Sequence, residues 1–126
     1  MIASVLGELA FQTGWKTRRK VVFWGREQEI TVKARAYTED KGLTEAQERA
    51  FSDFKAREGG LAQTVETLLR AYAPDCDGAK RFSPRTVLFE QDGGYALLCD
   101  DGEDPDEGVA VVLSPSQVVV SQDEYL

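Results

Sequence analysis

Six carboxylates lie within eight consecutive positions of the run CDDGEDPDEGVAV, near the carboxyl end of the chain. We call residues 100–107 the acidic loop, and its carboxylates belong to Asp100, Asp101, Glu103, Asp104, Asp106 and Glu107. Such a cluster can bind a divalent cation, act as a paired acid and base, or stay solvated and attract a basic partner. The sequence therefore allows three chemical interpretations at this one place.

A cation site in the acidic loop would use Asp100, Asp101, Asp104 and Asp106 as ligands, because calcium and magnesium prefer oxygen donors. The spacing does not match the EF-hand pattern, since Gly102 occupies a ligand position and the flanking residues resemble strands. A carboxylate-dependent enzyme would need a pair such as Asp101 and Asp104 in a buried cleft. These two hypotheses form the alternative function.

The chain contains no histidine and only two cysteines, Cys76 and Cys99. Without histidine, the usual general base of serine and cysteine hydrolases is missing, so a catalytic triad cannot be assembled. Two cysteines are also too few for a structural zinc site. We therefore expect a protein that is not an enzyme, with no catalytic residue and no cofactor.

The acidic loop also has the composition of a turn between two strands. Pro105 restricts Asp104 to an extended backbone, Gly102 and Gly108 allow positive φ angles, and an apolar run begins at Val109. This pattern predicts a solvated turn whose carboxylates point outward without partners. Any function of the loop would then come from its exposed negative charge.

Charge is distributed unevenly along the chain, whose formal net charge is −7. Residues 1–35 contain seven Lys or Arg against three acids, whereas residues 90–126 contain ten acids and no Lys or Arg. Nucleic-acid binding is disfavoured because neutralising phosphates requires a basic face. The asymmetry favours a basic protein partner, and opposite charges at the two ends could also join copies into a homo-oligomer.

Two tryptophans are further candidates for partner contact. Trp15 follows Gly14 and Trp24 precedes Gly25, so both stand at predicted turns. Tryptophan is frequent among the residues that dominate binding energy at interfaces. It also covers turns and fills cores, and the sequence alone leaves both roles open.

Hydrophobic patterning predicts the elements that would position these residues. Three strands are predicted from GELAF, RRKVVFW and QEITVKARAY, and four more from TVLFE, GYALLCD, GVAVVL and QVVVS. Between them, a Thr44 and Gln47 capping box begins a helix that ends near Gly59 and Gly60, and a second helix ends at Pro74. We therefore predict an α+β fold of order βββααββββ, with a helical hairpin between two antiparallel meanders.

Length and the amino-terminal residues set the remaining expectations. A chain of 126 residues fits a single domain over residues 1–126. The opening run MIASVLGELAF has no basic segment before its short apolar stretch, which argues against a signal peptide or a membrane span. We expect a cytoplasmic protein with no membrane partner.

Three segments carry a resemblance: LGELAF followed by GW, TEAQERAFSDF with its Thr-x-x-Gln-x-x-Ala-x-x-Phe pattern, and the turn DPDEGVAVVL. Together they resemble a family of small uncharacterised bacterial proteins. In that family a histidine often precedes the glycine of the turn, where this chain has Glu107. The resemblance assigns no activity, but it permits an immunity-type role, in which an acidic protein inhibits a secreted toxin.

The leading hypothesis is therefore a non-catalytic protein that uses an acidic surface to bind a basic toxin or enzyme. Its candidate contact residues are the six carboxylates of the acidic loop together with Trp15 and Trp24.

Overall fold

Two four-stranded antiparallel meanders join into one eight-stranded sheet in the computed structural model, which describes residues 1–126. The first meander contains β1 (Ile2–Ser4), β2 (Gly7–Phe11), β3 (Trp15–Phe23) and β4 (Arg26–Ala34). The second contains β5 (Phe82–Phe89), β6 (Tyr95–Asp101), β7 (Val109–Ser114) and β8 (Val118–Ser121). A 3-10 turn (Glu39–Lys41), α1 (Glu45–Tyr72) and α2 (Gly78–Arg81) lie between the meanders, and α3 (Gln122–Tyr125) follows β8. The predicted α+β class is confirmed.

Helix α1 carries the chain from β4 to β5, which are parallel neighbours in the centre of the sheet. Thr31 lies opposite Thr86, and Ala34 lies opposite Phe89. Parallel strands need a long crossover connection, and α1 supplies it. Because β4 and β5 run in the same direction, the segments that precede them lie at the same end of the sheet.

The capping box predicted at the start of α1 is present. The Gln47 backbone N–H donates to Thr44 Oγ1 at 3.0 Å, and the Thr44 N–H donates to Gln47 Oε1 at 3.0 Å. The buried Gln47 side chain also donates from Nε2 to the carbonyl oxygen of Arg35 at 2.9 Å. The cap therefore fixes the first turn of the helix to the end of β4.

The predicted helical hairpin is wrong, because α1 continues through Gly59 and Gly60 as one helix of 28 residues. Two interior glycines cost about 1 kcal/mol each relative to alanine. The buried positions on either side nevertheless stay in helical phase, since Phe54 is followed by Leu61 and Val65 at intervals of seven and four. Burial of this continuous stripe outweighs the low helix propensity of the two glycines.

The remaining differences from the predicted order concern short elements. Strand β1 precedes the predicted first strand, and the Ser4 hydroxyl closes its turn by donating to the carbonyl of Gly7 at 2.7 Å. Helices α2 and α3 contain four residues each, too few to show a periodic pattern. The first meander thus has four strands rather than three.

The core lies between α1 and one face of the sheet. Phe51 and Phe54 of the helix meet Phe89 of β5 in edge-to-face contacts, with ring centroids 4.6 Å and 5.8 Å apart. Tyr95 stacks on Phe89 at 4.9 Å, and its hydroxyl donates to Asp53 at 2.7 Å. None of the three helices combines the length and the apolar content needed to cross a membrane.

Candidate functional site at the acidic end of the sheet

Five segments that are distant in sequence meet at one end of the sheet, which we call the acidic end. They are the turn between β3 and β4, the last turn of α1, helix α2, the acidic loop and the first residue of α3, Gln122. The strand register places them there, since Phe23 pairs with Arg26, Phe82 with Asp101, and Val109 with Ser121. Trp24 and the acidic loop, predicted separately as contact sites, therefore share one end of the molecule.

Asp101 is the structural centre of the acidic loop, and it does not point into solvent as predicted. Its side chain is 4% exposed, and its carboxylate accepts from Arg81 Nε at 2.8 Å and from Arg81 Nη2 at 3.0 Å. It also accepts from the backbone N–H of Glu103 at 2.9 Å. These hydrogen bonds, chiefly those from Arg81, hold the pKa of Asp101 below its usual value. Asp101 therefore remains ionised and inaccessible to a partner.

The contact with Asp101 also stabilises the charged form of Arg81. The hydrogen bond to Asp101 raises the pKa of the guanidinium above its usual value. Arg81 Nη1 also lies 2.7 Å from a carboxylate oxygen of Glu103, and its guanidinium stacks over the ring of Phe82 at 4.9 Å. One arginine thus neutralises two of the predicted contact residues and joins α2 to the loop.

Asp100 is also paired, on the opposite face of its strand. Its carboxylate lies 2.6 Å from Arg85 Nε, and both side chains are more than half exposed, at 61% and 62%. An exposed pair of this kind contributes little to stability. The expectation of six unpaired carboxylates is therefore wrong for Asp100, Asp101 and Glu103.

The other three loop carboxylates, those of Asp104, Asp106 and Glu107, form no ion pair. The backbone that carries them is well ordered by hydrogen bonds, since the Asp104 N–H donates to the carbonyl of Asp101 at 3.0 Å. The Gly108 N–H donates to the carbonyl of Asp104 at 3.1 Å. The turn thus presents these three charges from a fixed framework.

Gly108 closes the loop and shows why glycine is needed there. Its φ angle is +71°, and a Cβ atom would lie 2.6 Å from the carbonyl oxygen of Cys99. The Gln122 side chain fills the adjacent space and donates to the same carbonyl at 2.9 Å. The predicted turn between two strands is confirmed, and α3 supports it from the carboxyl terminus.

No group of three or more His, Cys, Asp or Glu side chains in the structure is arranged to hold a metal ion. Asp100 and Asp101 pair with different arginines on opposite faces of β6, so they do not converge with Asp104 or Asp106. The acidic loop therefore offers no observation in favour of a cation site.

The two tryptophans lie at opposite ends of β3. Trp15 is 1% exposed and packs edge-to-face against Phe11 at 5.2 Å, so it belongs to the core and is not available to a partner. Its indole N–H has no hydrogen-bond partner. Trp24 is half-buried at the acidic end, in the left-handed region with a φ angle of +54°.

Trp24 is held between two other segments of the acidic end. The Arg70 guanidinium of α1 lies over its ring at 5.4 Å, a cation–π contact. On the other side, Gly78 of α2 approaches so closely that a Cβ atom there would lie 2.7 Å from the indole. The ring is therefore fixed in position while part of it remains accessible.

Both cysteines are free thiols. Burial raises the pKa of the Cys99 thiol to about 12, which makes it inert as a nucleophile. Cys76 is partly exposed and lies 4.0 Å from Arg81 Nη1. The acidic end thus contains no assembled nucleophile and base.

Sequence reasoning missed the basic residues that organise this end, namely Arg70, Arg81 and Arg85. The run AKRFSPR, which contains Arg81 and Arg85, is the only basic run shortly before the acid-rich carboxyl segment. That juxtaposition of charge was the available signal.

Comparisons of this chain with protein-family models, with curated proteins and with solved structures find no match.

Proposed function

We propose that this chain is a non-catalytic binding protein that presents its acidic end to a basic protein, as an immunity-type inhibitor of a toxin or enzyme would. The observation that carries the proposal is that Trp24 and the unpaired carboxylates of Asp104, Asp106 and Glu107 lie at the same end of the sheet. A rigid, partly accessible indole and a set of free charges are the two components of a typical interface centre and rim.

The charge at this end supports a basic partner. Besides the three loop residues, Asp75 and Asp77 in the connection from α1 to α2 and Asp123 in α3 form no ion pair, and these six acids outnumber the unpaired cations of the same end, Arg26, Arg70 and Lys80. Negative charge that is not neutralised internally attracts a basic surface and accelerates association at low salt.

Trp24 also supports the binding of a basic partner. Its ring already accepts one guanidinium, that of Arg70, at 5.4 Å. A partner arginine or lysine could stack on the accessible part of the ring, and other basic residues of the partner could pair with the loop carboxylates. Trp24 would then act as the anchor, and the loop carboxylates would steer the approach.

The test is affinity capture from the native cells at low salt with three forms of the tagged protein: wild type, a test variant and a control. The test variant removes the unpaired loop charges and carries D104N, D106N and E107Q. The control removes three exposed charges outside the acidic end and carries E8Q, E39Q and D40N. Both variants change the net charge by the same amount.

We expect wild type and control to retain a stoichiometric basic protein that is released by salt, and the test variant to lose it. Equal retention by all three forms, or binding whose rate does not depend on ionic strength, would contradict the proposal. A Trp24→Phe variant checks the anchor separately, because it preserves an aromatic ring and should weaken binding without changing its salt dependence.

A further inference from the structure

A partly enclosed cavity lies between α1 and the hairpin of β3 and β4, away from the acidic loop. Its volume is about 390 Å³, and 11 of its 16 lining residues are hydrophobic, among them Val21, Phe23, Ile30 and Phe54. Protein interiors contain few voids larger than a water molecule, and ligand sites begin at roughly 300 Å³. The cavity therefore has the size and lining of a small-molecule site rather than of a packing defect.

The two glycines in the middle of α1 lie beside this cavity. Gly59 lines it, whereas its neighbour Gly60 does not. A Cβ atom at either position would meet no atom within 4 Å, and neither glycine has a positive φ angle. Local packing and backbone conformation therefore do not require glycine here, although glycine weakens a helix. The absence of a side chain at position 59 leaves the entrance of the cavity open.

The only charged residues that line the cavity are Glu58 and Glu66, and no lysine or arginine lines it. Glu58 is neutralised by an ion pair with Arg19, but Glu66 is half-buried and has no ion-pair partner. An apolar pocket with a free carboxylate at its edge complements a ligand that has an apolar body and one positive charge.

We infer that this cavity binds a small cationic amphiphile, an aliphatic or aromatic amine whose apolar part enters between α1 and the hairpin while its ammonium group pairs with Glu66. The apolar walls supply the affinity through burial of the ligand's hydrocarbon. The carboxylate supplies the preference for a cation over a neutral or anionic ligand of the same shape. The cavity contains no residue of the acidic loop, although Gly25 and Glu66 also line the cleft beside Trp24.

The experiment uses four probes at millimolar concentration, followed by amide chemical shifts and thermal unfolding of the full chain. Hexylamine carries both the apolar tail and the charge, hexanol lacks the charge, hexanoate reverses it, and methylamine lacks the tail. We expect hexylamine to shift the resonances of residues that line the cavity and to bind about fivefold more tightly than hexanol. Hexanoate should bind more weakly than hexanol, and methylamine should not shift these resonances.

Matched variants connect the binding to the cavity. Gly59→Leu places a side chain at the entrance and should abolish hexylamine binding, whereas Gly60→Leu adds the same side chain one position away and should leave it intact. Both replace glycine by a good helix former, so neither is expected to unfold the protein. Glu66→Gln should reduce hexylamine affinity to that of hexanol.

Each alternative outcome overturns the inference. Binding that survives Gly59→Leu, or methylamine that shifts the same resonances, would show that amines bind to the acidic surface without entering the cavity. Equal affinities of hexylamine and hexanol for the wild type would exclude the role of Glu66. No shift with any probe would show that the cavity is not a ligand site.

Discussion

Replacing Asp101 by asparagine should destabilise the protein by about 2–3 kcal/mol, although the change is nearly isosteric. The same substitution at its neighbour Asp100 should cost less than about 0.5 kcal/mol. Both residues belong to the acidic loop, and both pair with an arginine. The large difference follows from burial, because the Asp101 side chain is 4% exposed whereas the Asp100 side chain is 61% exposed.

The magnitude can be worked from the contacts of Asp101. Its carboxylate accepts two hydrogen bonds from Arg81 and one from the Glu103 backbone. Breaking a buried ion pair costs about 3–5 kcal/mol because one charge is left without its partner. The Arg81 side chain is 22% exposed and keeps its contact with Glu103, so solvent and the second carboxylate offset part of this cost. About 2–3 kcal/mol remains.

Urea unfolding at pH 7 measures both variants against wild type. The pKa of Asp101 is lowered in the folded state, so its contribution is fully present above the unfolded value of about 3.9 and is lost as the pH falls through the folded value. The difference between wild type and Asp101→Asn should therefore shrink below about pH 4. Equal stabilities of the Asp101 and Asp100 variants at pH 7 would refute the reasoning.

Three further outcomes are expected. Gly60→Ala should raise the free energy of unfolding by up to about 1 kcal/mol, measured by urea unfolding, because a Cβ there meets no neighbour; a lower stability would contradict a continuous helix. A disulfide reagent should label Cys76 in the native protein and Cys99 only after unfolding, since Cys99 is buried with a pKa of about 12; rapid labelling of both would contradict its burial. Gly78→Ala should shift the tryptophan fluorescence and lower the melting temperature, because its Cβ would lie 2.7 Å from Trp24, and an unchanged spectrum would contradict that contact.

The parts of the fold that the sequence predicts are those determined by neighbouring residues. Alternation and turn composition predict all four strands of the second meander, and the Thr44 and Gln47 pattern predicts the first turn of α1. The continuous apolar run from Val109 predicts burial of β7 on both faces, which the structure confirms. Each of these features is determined by residues that lie close to it in the sequence.

The helix through Gly59 and Gly60 shows where such local reasoning fails. Two adjacent glycines are a typical helix end, and the local preference alone favours a break. The competing contribution is burial of Leu61, Val65 and Leu69 in the same core as Phe54, which becomes visible only when the sheet is in place. Tertiary packing therefore decides the conformation of this segment.

The ion pairs of the candidate site are unpredictable for a related reason. Arg81 and Asp101 are 20 residues apart, and they meet because Phe82 lies opposite Asp101 in the register of β5 and β6. Without that register, every carboxylate of the loop appears equally free. The sequence indicates where the negative charge lies, but the fold decides that Asp104, Asp106 and Glu107 remain without an ion pair.

The acidic loop contains paired and unpaired carboxylates. Under the proposed function, the two kinds have different effects on the rates of binding. Neutralising the exposed charges of Asp104, Asp106 and Glu107 should slow association and weaken its salt dependence, because these charges act on the approaching partner. Asp101→Asn should instead accelerate dissociation, since loss of the Arg81 contact loosens the loop and binding must then order it. Surface-plasmon measurements with the captured partner separate the two rates. An association rate lowered equally by both changes would mean that Asp101 acts through its charge and not through the framework that it holds.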